Sequence, residues 1–177
     1  MEWQELMMDL FDRTAASLAQ VLDGLSDEEL NVQPAPDAGS IGLLAWQLSR
    51  CQDREISELM GKQQLWISES WYAVFGRNAD AKETGQSFTI EQIQKFRAPD
   101  SVTVMKYHHD ILERIREYLG EHLTEPVLEA DSYSPTFGRS IPVYRRITGL
   151  INDGFQFVGQ AAYVRGLLHG YDWQKRQ

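Results

Sequence analysis

SIPVYRRITGLINDGFQFVGQAAYVRGLLHG, residues 140–170, reads as one long helix around which the rest of the chain is organised. Ser140 suits an N-cap, Pro142 falls in the first turn where a missing N–H costs nothing, and Gly170 closes the segment. Apolar or small residues recur at Val143, Ile147, Leu150, Ile151, Gly154, Val158, Ala161 and Leu168, which is the period of an α-helix. Arg165 falls inside that stripe. An inward guanidinium requires a carboxylate, because an unpaired buried charge costs several kcal/mol. Asp153, Phe157, Gln160 and Val164 form a mixed flank beside the stripe, the place where an all-helical protein would put a site.

Composition narrows the function classes. A chain of 177 residues suits a single domain over 1–177 with a sizeable core. A net charge of -9 argues against nucleic acid and anionic membranes as partners. Cys51 stands alone, which excludes a disulfide framework and a thiolate zinc site within one chain; a buried, inert thiol is expected. The chain lacks a cleavable leader and any apolar run of about 18 residues, which predicts a cytoplasmic protein with no membrane partner.

Three more long helices emerge from the periodicity. Residues 2–23 carry Trp3, Met7, Leu10, Leu18 and Val21, with Leu25 just beyond, at helical spacings. Ser26 and Glu29 make a capping box for a one-turn helix, after which Pro34 and Pro36 force extended chain. Ser40 caps the second long helix, IGLLAWQLSRCQDREISELMG, whose stripe is Ile41, Leu44, Leu48, Cys51, Gln52, Glu55 and Leu59. The stripe turns polar towards its end, so Glu55 is the expected partner of Arg165. Gln47 lies on the flank, with Arg50 and Arg54 following it. Between Lys62 and Pro99, Trp66, Trp71, Tyr72, Phe75, Phe88 and Phe96 are too many rings for solvent. This connection is expected to fold over the helices, as a lid or as aromatic padding, with a short helix near Ile90–Phe96.

The third long helix, after Ser101, turns Val104, His108, Ile111, Ile115 and Leu119 inward. A core histidine such as His108 is first a hydrogen-bonded structural group and second a catalytic candidate. Its neighbour His109 points about 100° away, so the pair cannot close on one metal. Residues 121–139 cross back with a helical turn around Glu125–Glu129, and the tail adds Tyr171 and Trp173 as interface rings. The reading is an all-α protein of four long helices, with long crossover connections after the second and third.

At this point the chain resembles the DinB/YfiT-like metalloenzyme family of four-helix bundles. SIGLLAWQLSRCQDREI looks like that family's second helix, FVGQAAYVRGLL like its fourth, and LWISESWYAVFG like the connection of one subgroup. The resemblance implies a divalent nickel or zinc ion inside the bundle, held by one histidine from the second helix and two from the fourth, spaced i, i+4. It also implies thiol-dependent transferase or isomerase chemistry in some members. The matching positions here are Gln47, Asp153 and Phe157, so the three-histidine centre is replaced. His108 is the one inward histidine, while His122 and His169 fall near helix ends. Cofactors are therefore expected to be none, or at most a weakly held divalent metal.

Three functions fit this pattern. The first is a small-molecule-binding or interaction bundle with a degenerate metal site, in which Gln47, Arg50, Asp153, Phe157 and Gln160 line the ligand space. The second is a thiol-dependent transferase or hydrolase-like enzyme, with Asp153 as base and His108 assisting. The third is a structural homodimer without ligand. In all three, Gln47 and Asp153 either hydrogen-bond each other or wall a cavity, Gly159 serves close helix packing, and Arg165 pairs with Glu55.

Overall fold

A computed structural model describes residues 2–175 and is mainly helical, with one small two-stranded sheet. In chain order the helices are α1 (Trp3–Leu22), α2 (Asp27–Asn31), α3 (Ile41–Met60), α4 (Leu65–Ser68), α5 (Trp71–Val74), α6 (Ile90–Lys95), α7 (Ser101–Glu117), α8 (Glu125–Glu129) and α9 (Val143–His169). A π-helical turn, Tyr118–His122, extends α7. β1 (Asp131–Ser134) and β2 (Arg139–Pro142) pair antiparallel just before α9.

The four long helices close in a ring. α9 packs against α3 and α1, and α7 packs against the same two from the other side. Their apolar stripes meet in one core that includes Phe11 and Leu18 of α1, Leu48 and Ile56 of α3, Ile111 and Ile115 of α7, and Ile147, Leu150 and Ala161 of α9. Local chemistry fixes the starts. Ser40 accepts the Leu43 N–H at 3.2 Å, and Asp100 accepts the Thr103 N–H at 2.7 Å. Both satisfy amides that have no partner within the helix.

The connection from Lys62 to Pro99 is padding. Trp66, Trp71, Phe75 and Phe96 are buried, and they pack with Trp46 of α3 and Tyr107 of α7 at centroid distances of 5.0 to 6.4 Å.

Several expectations need correction. α9 starts at Val143, not after Ser140, because residues 139–142 find ladder partners in β1, and Ser140 pairs with Tyr133. The all-α expectation thus misses a hairpin, whose turn is closed by the Gly138 N–H donating to the Ser134 carbonyl at 2.8 Å. Arg165 is half-buried and does not meet Glu55. It donates to the carbonyls of Gln20, Val21 and Asp23 at 2.5 to 2.6 Å and stacks on Trp173 at 4.8 Å. Those oxygens end α1 and lack partners within it, which is what a cation at a helix C-terminus supplies. Glu55 instead meets Arg146 at 2.9 Å. Arg146 and Arg165 are separated by about 28 Å along α9 at 1.5 Å per residue, so one carboxylate could not serve both.

Val164, assigned to the mixed flank, is buried, and Ile151 and Leu168 are only half-buried. Gly159 is exposed, and a Cβ there would meet nothing within 4 Å. The close approach belongs to Gly154, where a Cβ would lie 3.1 Å from Thr14 Cγ2. The expected ring of Tyr171 lies outside the described side chains.

Candidate functional site

The C-terminal half of α3 is polar and yet buried: Arg50, Gln52, Asp53, Arg54, Glu55 and Ser57 all lie in the interior. Isolated charges there would be too costly to keep, so the question is which of them have partners.

Arg50 and Asp53 anchor a saturated network. Arg50 donates from Nε to the Glu83 carbonyl, from Nη1 to Asp53 and the Tyr107 hydroxyl, and from Nη2 to Gln64 and the Ala81 carbonyl, at 2.8 to 3.3 Å. Those five bonds match the five N–H groups of a guanidinium. Asp53 accepts from the Leu65 and Trp66 amides at 2.9 and 2.8 Å, from Tyr107 at 2.8 Å and from Ser57 at 3.2 Å. It therefore seats the first turn of α4 on α3. Burial, with Asp53 alongside, holds the Tyr107 hydroxyl well above its ordinary pKa, so Tyr107 stays a donor. Arg50, expected to touch a ligand, has no donor left for one; its role is structural.

A second network fastens the hairpin. Arg146 donates to Glu55 at 2.9 Å, to Glu58 at 2.7 Å and to Ser132 at 3.2 Å. Glu58 also accepts from Ser134 at 2.8 Å and Thr136 at 2.5 Å. Burial pushes the Glu55 carboxyl up, against the pull of Arg146.

Between these elements lies a cavity of about 390 Å³, walled by Cys51, Arg54 and Glu55 of α3, Arg139 of β2, and Arg145, Arg146 and Asp153 of α9. That volume is within the range of small-ligand pockets. Burial pushes the Cys51 thiol up to about 11, which removes it as a nucleophile near neutral pH. Arg54 is 8% exposed and makes a single hydrogen bond, to Thr84 at 3.5 Å. Its Nε and the Glu55 Oε1 are both buried without a hydrogen-bond partner, Oε1 lying 3.8 Å from Arg54 Nη2.

The remaining site expectations are only partly brought together. Asp153 is half-buried and lines the cavity. Gln47 does not reach it: no hydrogen bond joins the two, and Gln47 packs on Gly85, where an added Cβ would come within 2.8 Å of its Nε2. Phe157 is half-buried against the core, and Gln160 is exposed, so neither lines the cavity. His108 lies on another side of α3. It contacts Ser49 at 3.2 Å, and residues 47 and 49 point about 200° apart on a helix. Because the Ser49 hydroxyl donates to the Ala45 carbonyl, the ring donates from Nδ1 and leaves Nε2 bare. Burial lowers the His108 pKa to about 4, with His109 adding to the effect.

The residues at the family's metal positions do not fit a three-histidine centre. An amide turned onto Gly85, one half-buried carboxylate and a phenyl ring offer no convergent donor set. Among the described residues, Glu117, Glu121 and His122 are the one convergent trio, at the other end of α7, and Glu117 already accepts from Lys62 at 2.6 Å.

Sequence reading missed Arg146 and the role of Arg54. Arg146 sits three residues after Val143 and four before Leu150, and that register places it on the buried side.

No family model matches the chain, and no curated protein matches its sequence. A conserved protein from Enterococcus faecalis has a similar solved structure, with a TM-score of 0.83 and 24% identity. The likeness covers 96% of this chain and 99% of that one, and at this identity it is a likeness of fold.

Proposed function

We propose that this protein is a DinB/YfiT-like four-helix bundle with a degenerate metal site, which binds a small molecule in the cavity between α3, α9 and the hairpin. The observation that carries the reading is a cavity of ligand size whose wall contains a buried, under-bonded guanidinium beside a buried, under-bonded carboxylate. Buried polar groups left without partners are costly unless a binding partner completes them. The separation of Gln47 from Asp153 favours binding over the thiol-transferase alternative, which needs both in one pocket. Among the described residues no helix is long and apolar enough to cross a membrane. The acidic charge supports a small-molecule rather than a nucleic-acid partner and, with the lack of such a helix, a cytoplasmic setting.

Ligand-observed NMR and thermal shift against a panel of small metabolites test the reading. Binding that disturbs Arg54 and Asp153 supports it, and a panel that leaves both untouched removes it. Metal analysis of the purified protein is the second check, since a stoichiometric transition metal would overturn the degenerate site.

A homodimer is a separate proposal. It is favoured by Phe155, Tyr163 and Leu167 of α9, which are 49%, 70% and 56% exposed. Sedimentation velocity decides it, and a monomer across the micromolar range would end it.

A further inference from the structure

Arg50 and Arg54 lie one turn apart on α3 and are both buried, but their bonding is opposite. Arg50 uses all five N–H groups on protein acceptors. Arg54 makes one long bond, to Thr84. Its nearest carboxylate oxygen, Glu55 Oε1, stays 3.8 Å from Nη2, beyond hydrogen-bond length. Helix geometry explains the gap, because adjacent residues point about 100° apart and cannot turn onto each other. The other oxygen of Glu55 is engaged by Arg146, a cation that Glu58 shares.

The rest of the wall carries a modest excess of the same sign. Four arginines, Arg54, Arg139, Arg145 and Arg146, face two carboxylates, Glu55 and Asp153. Counting Glu58, which shares Arg146 with Glu55, four guanidiniums stand against three carboxylates, so the positive excess is one charge. This happens in a chain where acidic residues outnumber basic ones 26 to 17. On its other side Arg54 borders a second cavity, of about 550 Å³, whose wall adds Lys82 and Glu58. A local excess of positive charge in an acidic protein concentrates anions at one place. A guanidinium with unused, coplanar N–H groups matches the two oxygens of a carboxylate or phosphate.

We infer that the cavity takes an anionic small molecule, a carboxylate or phosphate whose oxygens are gripped by Arg54, with Arg139 and Arg145 drawing it in at the mouth. This rests on the small-molecule reading above and adds the charge class and the residue that selects it.

The test compares four probes on the whole protein: succinate, inorganic phosphate, succinamide as the neutral analogue of succinate, and 1,4-diaminobutane as a cation of similar length. Each is titrated into the millimolar range while the Arg54 Nε–H and the backbone amides of 149–153 are followed by heteronuclear NMR. Succinate or phosphate is expected to shift these resonances and to bind at least about tenfold more tightly than succinamide. Arg54→Gln is expected to lose about tenfold in anion affinity, and Arg139→Gln, at an exposed position, only a few-fold with greater salt sensitivity. Phosphate ahead of succinate assigns phosphorylated ligands, and the reverse order assigns organic acids. If succinamide or the diamine binds the cavity as well as the anions do, the anion inference is overturned while the small-molecule reading stands. If no probe moves a cavity resonance, the anion inference is overturned, and the small-molecule reading is decided by the metabolite panel. The probe series uses the unaltered chain, so it decides the matter even if Arg54→Gln fails to fold.

Discussion

At the scale of single residues, the same side chain does two jobs on one helix. Arg50 holds α4, the 81–83 segment and α7 together, whereas Arg54 is held by little and faces a cavity. Stability measurements should separate them. Arg50→Met leaves Asp53 buried with only Arg114, 3.8 Å away, as a cation, and weakening a buried pair from one side costs up to about 3–5 kcal/mol. Arg54→Met removes a poorly bonded buried charge, so its stability is expected to stay within about 1 kcal/mol of the parent or to rise. Urea unfolding of the two variants gives both numbers, and equal losses would sink the distinction. The sequence showed both arginines on the flank of a striped helix, but not this difference. The partners of Arg50 sit at Gln64, Ala81, Glu83 and Tyr107, and no local period reports bonds that far along the chain. Arg165 was misassigned for the same reason: its acceptors are carbonyls, which every residue has and no pattern marks.

At the scale of elements, two glycines in long helices should respond in opposite directions. A Cβ at Gly42 of α3 would lie 2.6 Å from Ala98 Cβ and 3.1 Å from the Leu30 carbonyl oxygen. Gly42→Ala is therefore expected to destabilise by about 1–3 kcal/mol through overpacking. Gly159 of α9 has open space around it, and Gly159→Ala should stabilise by up to about 1 kcal/mol from helix propensity alone. Thermal unfolding of both variants checks the signs, and a destabilised Gly159→Ala would mean that something covers that face. The hairpin is the element the sequence hid. Its strands, DSYS and RSIP, are short and mostly polar on both faces, so they lack the alternation that betrays a strand. Side chains at a distance hold it in place, chiefly Glu58 of α3. Glu58→Gln weakens that attachment, and amide exchange across 131–142 should quicken several-fold while α1 and α7 keep their protection. Unchanged exchange there would show that Glu58 does not hold the hairpin.

At the scale of the whole molecule, the helix ring follows from the apolar stripes, which the sequence displays openly, whereas the acid stability follows from buried titratable groups, which it does not. Two such groups act in opposite directions. His108 is neutral in the folded protein, with its pKa lowered from 6.5 to about 4 by burial, so the unfolded chain binds the extra proton first. Stability from this group is complete above 6.5 and is lost as the pH falls towards 4, a loss of about 3 kcal/mol. Glu55 has its folded pKa raised by burial, so the folded state takes up that proton first, and acidification favours folding there. The parent protein's own profile mixes the two. The difference between the parent and His108→Leu isolates the histidine, because Glu55 and the other histidines occur in both proteins and cancel. Urea unfolding from pH 7 to pH 4 should show the parent losing about 3 kcal/mol relative to His108→Leu, most of it below 6. Two parallel profiles would mean that the ring is charged or solvated in the fold, and that its Nε2 has a partner after all.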